Sequence, residues 1–176
     1  MIEIIYSVAT SLDGYIATSD GGVDWLSRFH ARGHGAGDLE ASVDALLLGS
    51  HTYEFALKLG SWPAPSKPSC VFTKRDLQIL HPSITLTSQA PREVAELLAA
   101  RSMRRAWLMG GGKLAASFHV EGLISRYIIS ILPILLGAGV QLFAPHLSQP
   151  HTLRLVSTKS FKSGIVQLTY ERSQNG

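Results

Sequence analysis

The chain has 176 residues, 45% apolar and 16% charged, with one cysteine and a formal charge of +3. That length and apolarity give it a core of its own and exclude a disordered chain, and one thiol excludes a disulfide scaffold. We expect one domain over residues 1–176.

The most apolar stretch, residues 127–136, carries Pro133 and falls well short of the ~20 apolar residues of a membrane span, so we read it as a buried strand. Met1-Ile2-Glu3-Ile4 has neither the basic nor the apolar region of a signal peptide. A cytoplasmic protein without a membrane partner is the expectation. Sixteen Lys+Arg against 13 Asp+Glu is too small an excess to argue for nucleic acid. No aromatic residues interleave the basic pairs Lys74-Arg75 and Arg104-Arg105, and Arg101 suits a helix C-terminus.

Residues 2–10, rich in Ile and Val, read as a strand buried on both faces. Ser19-Asp20-Gly21-Gly22 is a turn, and residues 30–37, with three glycines and two histidines, are a loop. Asp38 is placed to N-cap a short helix through Val43. Residues 45–48 form a second strand, 52–59 a helix closed by Gly60, and 70–73 a third strand. Pro91 opens a helix over 91–100, with Val94, Leu97 and Leu98 on one face. Residues 106–109 are a fourth strand, 113–120 a helix, and 126–132 a fifth strand. Residues 152–158 and 165–170 both alternate and form a terminal hairpin. The order predicts an α/β fold: a mainly parallel central sheet covered by helices, with an antiparallel C-terminal hairpin.

Two strand ends carry glycine just before a helix. One is Gly49, Ser50, His51 and Thr52; the other is Gly110, Gly111 and Gly112, followed by Lys113 and Leu114. Backbone N–H groups at such turns face outward, and a missing Cβ lets an anion approach. Two turns of this kind suit a ligand with separated phosphates, such as a dinucleotide. Thr73, Lys74 and Arg75 place a hydroxyl and two cations at a third strand end, which suits a 2′-phosphate. The chain has no G-x-G-x-x-G after its first strand and no P-loop. His30 and His34 are four apart, but the glycines between and beside them and the lack of further ligands argue against a metal. Ser50 and Ser117 lack the nucleophile elbow. Asp13, Asp24, Asp38 and Glu40 are the candidate proton donors, each with a competing structural role as turn residue, cap or surface charge.

Four motifs then occur in order: Ser11-Leu12-Asp13-Gly14-Tyr15-Ile16-Ala17, Leu47-Leu48-Gly49-Ser50-His51-Thr52-Tyr53-Glu54, Trp107-Leu108-Met109-Gly110-Gly111-Gly112 and Leu132-Pro133-Ile134-Leu135-Leu136-Gly137-Ala138-Gly139. Together they resemble the dihydrofolate reductase-like family, in the branch holding the reductase domain of the bacterial bifunctional riboflavin-biosynthesis protein. The resemblance implies a three-layer dihydrofolate reductase-like fold using NADPH. It implies that Gly110–Gly112 cradles the pyrophosphate, that Gly49 to Thr52 lies along the other side of the cofactor, and that Thr73-Lys74-Arg75 faces the adenosine end. Residues 11–17 would border nicotinamide and substrate, and members of this branch commonly pair as dimers. This chain has Ser50 where many relatives carry Arg.

The expected function is an NADPH-dependent reductase that passes hydride to a C=N or C=O carbon of a small pterin- or pyrimidine-like heterocycle. Asp38 is the first choice for protonating or orienting the substrate, and Asp13 the second. The rival reading is a non-catalytic nucleotide-binding protein on the same fold.

Overall fold

The computed structural model describes residues 1–29, 36–58, 62, 64–143 and 150–173. The predicted capping glycine Gly60 and both loop histidines, His30 and His34, lie outside the described residues. Ten strands and four α-helices are described: β1 Glu3–Ser11, β2 Tyr15–Ala17, α1 Ala36–Ser42, β3 Ala45–Gly49, α2 Ser50–Lys58, β4 Ser69–Phe72, β5 Ile84–Thr87, α3 Pro91–Ala100, β6 Arg105–Gly110, α4 Gly112–Val120, β7 Ile124–Leu132, β8 Val140–Gln141, β9 Leu153–Ser160 and β10 Val166–Arg172. A short 3-10 helix, Asp24–Phe29, follows β2.

Eight strands form one sheet in the order β5-β4-β3-β6-β1-β7-β10-β9, and β2 pairs with β8 in a separate two-stranded sheet. The first six strands of the large sheet run parallel; β10 is antiparallel to both β7 and β9. The mainly parallel sheet with its antiparallel C-terminal hairpin is therefore as the sequence pattern predicts.

Alternation along the strands splits the core into two layers. Ile4, Tyr6, Leu47 and Leu108 face α3 and α4, where Val94, Leu98, Ala115 and Phe118 bury against them. Ile5, Leu46, Leu48 and Val71 face the other way, under Leu39 of α1, Val43 just after it, and Tyr53 and Ala56 of α2. β3 contributes to both layers, which is why it reads as an unbroken apolar run. Each buried Leu or Ile in these layers contributes about 1.5–3 kcal/mol by leaving water.

The boundaries follow local chemistry. Pro91 starts α3, and the Ala90 N–H donates to the Glu93 carboxylate at 2.8 Å to close the first turn. Arg101 is its C-cap, as expected. Asp38, by contrast, does not cap α1: the helix begins at Ala36, and Asp38 lies exposed within its first turn. The sequence reading also missed β5 and the β2–β8 pair. All three are two to four residues long, below the length at which period-2 alternation is distinct.

Candidate functional site

In parallel sheets, ligands collect at the C-terminal ends of the strands, where βα turns converge. β3 ends at Gly49 and β6 at Gly110; these neighbouring strands pair Leu48 with Gly110. The two glycine turns are therefore in contact rather than separated. A Cβ on Gly49 would sit 3.3 Å from the Gly111 nitrogen and 3.5 Å from the Gly110 oxygen. The Gly110–Gly111 peptide is cis. Helices α2 and α4 start directly from these turns. Gly111 is the N-cap of α4, and no side chain caps its first N–H groups, leaving them to a ligand or to water. A Cβ on Gly111 would meet nothing closer than the Thr52 hydroxyl at 3.9 Å, so the space before α4 is open. A Cβ on Gly112 would fall 2.2 Å from the Gln141 oxygen, so β8 presses on the start of α4. Of the other residues assigned to these turns, Thr52 and His51 line the adjoining cavity and Ser50 is half-buried. Lys113 is exposed, and the Leu114 side chain packs into the core, leaving its backbone N–H for the site.

Beside the turns, between β6, β1 and the β2–β8 flap, lies a cavity of about 300 Å³. Val8, Ile16, Phe55, Trp107 and Met109 give it a predominantly apolar wall, and Gly111 and Thr52 open it toward the helix starts. Trp107 is fixed by its indole N–H, which donates to the Ser7 carbonyl at 2.9 Å. A groove of about 620 Å³ shares Ser7, Val8, Ala9 and Trp107 with this cavity and continues over β7, β10 and β9. The groove is mixed: apolar residues such as Ile128, Leu132 and Ile165 share it with Asp38 and Ser42 from α1, Ser130 from β7, Gln167 from β10 and Lys159 from β9. The largest cavity, about 880 Å³, lies at the opposite ends of the strands around Ile2, Arg92 and Gly122, and holds none of the predicted site residues.

Thr73, Lys74 and Arg75 line a cavity of about 490 Å³ at the ends of β4 and β5. The Arg75 N–H donates to the Thr73 hydroxyl at 2.9 Å, forming a tight turn. The Arg75 guanidinium is not free, however: it donates to a Glu54 carboxylate oxygen of α2 at 2.8 Å. Each partner stabilises the other's charge, lowering the Glu54 pKa and raising that of Arg75. Lys74 is exposed and has no ion pair among the described residues. It is the cation available to a ligand. Strand order thus arranges a cationic corner, two glycine turns and an apolar cavity along the strand ends, with the groove running from the cavity over β7, β10 and β9.

The two proposed acids fare differently. Asp13 accepts the Leu136 N–H at 3.1 Å and the Gly137 N–H at 2.7 Å, one on each oxygen. The Ser11 hydroxyl, followed by these two N–H groups, holds its carboxyl below the usual range. A carboxylate stabilised in this way is a poor proton donor near neutral pH, and both of its oxygens tie the loop before β2 to residues 136 and 137. Asp38 lines the groove and not the cavity, the two sharing Ser7, Val8, Ala9 and Trp107. The residues that sequence reasoning missed are Phe55, Trp107 and Met109 as cavity walls, Lys159 and Gln167 as groove residues, and Glu54 as the partner of Arg75. Glu54 and Phe55 lie within α2 and Trp107 within β6, so their place in the chain carries no signal of these roles.

A second cluster lies behind α4. His119 is 9% exposed and its Nδ1 is 2.7 Å from the Tyr127 hydroxyl; its Nε2 has no partner among the described residues. The His151 ring lies 4.7 Å away, edge-on. Burial, then His151 and Arg172, push the His119 pKa down, and burial lifts Tyr127 to about 12. Tyr6 donates to the Leu142 carbonyl at 2.8 Å. No helix among the described residues is long and apolar enough to cross a membrane.

The sequence model of the RibD C-terminal domain matches residues 3–167. The uncharacterized protein YwjB of Bacillus subtilis (strain 168) is 35% identical over 173 residues, covering 97% of this chain and 98% of its own. A solved protein of Shewanella sp. PV-4, provisionally assigned to riboflavin biosynthesis, superposes with a TM-score of 0.87 at 29% identity, over 98% of this chain and 100% of its own. A diaminohydroxyphosphoribosylaminopyrimidine deaminase/5-amino-6-(5-phosphoribosylamino)uracil reductase of Thermotoga maritima superposes with a TM-score of 0.72 at 15% identity. It is matched over 98% of this chain but 57% of its own length, a likeness of fold.

Proposed function

The chain belongs to the RibD C-terminal domain family, with its dihydrofolate reductase-like fold, and from that premise we propose that it is an NADPH-dependent reductase of a small heterocycle. The observation that carries the proposal is the contact between the two glycine turns beside an apolar cavity, with the free cation Lys74 two strands away. The residues fit a dinucleotide. Gly111 leaves open the space before the uncapped N–H groups of α4, which suits phosphate oxygens. Val8, Phe55, Trp107 and Met109 suit an uncharged aromatic ring, and Lys74 suits a 2′-phosphate.

Bound NADPH would supply a hydride equivalent. This chain's residues do the rest. The apolar wall excludes water, and the rigid ends of β1 and β6 fix two rings against each other; such positioning is worth up to roughly 7–11 kcal/mol of a barrier. The groove offers Asp38 to hold or deliver a proton at a substrate nitrogen or oxygen, and Ser130, Gln167 and Lys159 to recognise polar substituents. The pyrimidine reductase named in the Thermotoga relative makes a pyrimidine- or pterin-like C=N or C=O compound the first substrate class to try. The proposal includes work in the cytoplasm, where NADPH is kept reduced, and assembly as a homodimer.

Titration with NADPH and NADH tests the reading, following nicotinamide emission excited through Trp107 together with thermal unfolding. At a hundredfold excess over Kd, binding adds about 2.7 kcal/mol, or about 5–11 °C for a chain of this size. No shift with either nucleotide overturns the proposal. The cavity itself has no carboxylate among its described lining residues, which favours, as the second reading, a nucleotide-binding protein without turnover. NADPH binding without oxidation by any pyrimidine, pterin or related carbonyl would establish it.

A further inference from the structure

We infer that Asp13 is a positioning residue: its carboxylate latches the β2–β8 flap over the apolar cavity and so sets how long a nicotinamide ring stays there. The inference rests on the cofactor reading of that cavity. The flap supplies Ile16, Ala17 and Val140 to the cavity wall. β2 and β8 pair through Tyr15 with Gln141 and Ala17 with Val140, in broken register. The Thr10 hydroxyl donates to the Tyr15 carbonyl at 3.2 Å and the Tyr6 hydroxyl to the Leu142 carbonyl at 2.8 Å, which ties the pair to the large sheet. Two backbone pairings alone are marginal in water, so the flap's position depends on these ties and on the loops at its ends. The loop before β2 and the one before β8 meet at Asp13. Its two oxygens accept the Leu136 and Gly137 N–H groups at 3.1 and 2.7 Å, and the Leu12 N–H donates to the Ile134 carbonyl at 2.8 Å beside them. The Leu142 N–H donates to the Gly14 carbonyl at 3.0 Å beyond the flap. The Tyr15 N–H donates to the Ser11 hydroxyl at 2.9 Å, tying the latch to the first residue of β2. Asp13 itself is exposed and is absent from both the cavity and the groove. It acts through backbone, not on substrate.

The test compares wild type with Asp13→Ala and Asp13→Asn. Asn keeps one acceptor and turns an NH₂ toward the other N–H, so it breaks half the latch. Hydrogen–deuterium exchange on the nucleotide-free proteins should speed up over residues 15–17 and 136–142 in the Ala variant, with α3 unchanged and Asn intermediate. NADPH dissociation in stopped flow should speed up about tenfold, within the range of ordinary coupling between sites, with association little altered. Unchanged exchange in the flap overturns the latch, as does exchange that rises equally in α3. Faster flap exchange with unaltered NADPH dissociation overturns the positioning role. A wild-type protein that binds neither nucleotide overturns the cofactor reading and the residence-time claim with it, while exchange on the free proteins still decides the latch.

Discussion

Gly111 and Gly112 are adjacent in sequence yet should respond in opposite ways to a single methyl group. At Gly112 an added Cβ would lie 2.2 Å from the Gln141 oxygen, 3.3 Å from the Gln141 carbonyl carbon and 3.4 Å from the Leu142 oxygen. These are backbone atoms, so β8 must withdraw by roughly 1 Å, and overpacking of this kind costs about 1–3 kcal/mol. For a chain of this size that lowers Tm by about 2–12 °C. At Gly111 the nearest atom is the Thr52 hydroxyl at 3.9 Å, and the backbone there is extended. Gly111→Ala should therefore melt within about 2 °C of wild type, since unstrained substitutions stay near ±0.5 kcal/mol. Its methyl group occupies the space before the first N–H groups of α4. If those groups receive phosphate, losing one charged hydrogen bond of about 1.5–3 kcal/mol weakens NADPH by about tenfold to a hundredfold. Circular-dichroism melts and fluorescence titrations of both variants separate the two effects. Wild-type NADPH affinity in Gly111→Ala would refute the phosphate reading, and an unshifted melt in Gly112→Ala would refute the packing argument.

Lys74→Ala should weaken NADPH about fivefold and leave NADH unchanged, as expected for one exposed charge near a phosphate in water. Arg75→Ala should discriminate less between the two nucleotides because Glu54 already holds that guanidinium; paired titrations measure this. His119 is held neutral by burial, so the unfolded chain takes up its proton first as pH falls. The stability it contributes is complete above the ordinary value of 6.5 and is lost as pH drops below it. Melts between pH 5 and 8 should show this slope, and His119→Phe should flatten it; an identical slope in the variant assigns it elsewhere. Asp38→Asn should leave NADPH affinity within about twofold while slowing substrate-dependent NADPH oxidation by about a hundredfold or more. Equal loss of both would remove Asp38 from the substrate side.

The fold was largely legible because its strands are buried on both faces and its helices carry clear signals. Residues 45–48 could not be a surface element, Pro91 could start only a helix, and the alternation of the last two strands could only be a hairpin. The site was legible where backbone makes it: Gly49 and Gly110–Gly112 mark two strand ends, and at Gly110, with φ of 108°, and Gly112, with the Gln141 oxygen 2.2 Å from a Cβ, the fold requires glycine. What the linear order hid was their adjacency, since β3 and β6 are separated in sequence by β4, β5 and α3 but are neighbours in the sheet. Side-chain roles were less legible. Asp13 and Asp38 look alike in sequence, two carboxylates in the first quarter of the chain. They differ in what surrounds them, and that depends on residues 134–137 and on β7 to β10, far along the chain. Arg75 read as a free cation because its partner Glu54 lies on a different element, 21 residues earlier.

The same geometry explains why fold membership leaves the substrate open. Along the half of the edge proposed for the nucleotide, the groups beside the cavity are mostly backbone N–H, glycine and apolar wall, and on that reading they are indifferent to what accepts a hydride. The side chains able to discriminate are on the other half: Asp38 on α1, Ser130 on β7, Gln167 on β10 and Lys159 on β9. That half exists because β10 and β9 extend the sheet beyond β7, so β7 lies inside the sheet instead of at its margin. Substitutions on this outer hairpin alter no parallel pairing and touch neither glycine turn. On the proposed reading, chains that share both turns are free to differ in substrate through a few residues of β9 and β10. The Gln167–Ser130 contact, a side-chain hydrogen bond of 3.1 Å between neighbouring strands, is where such a change would alter the groove floor at least cost to the fold.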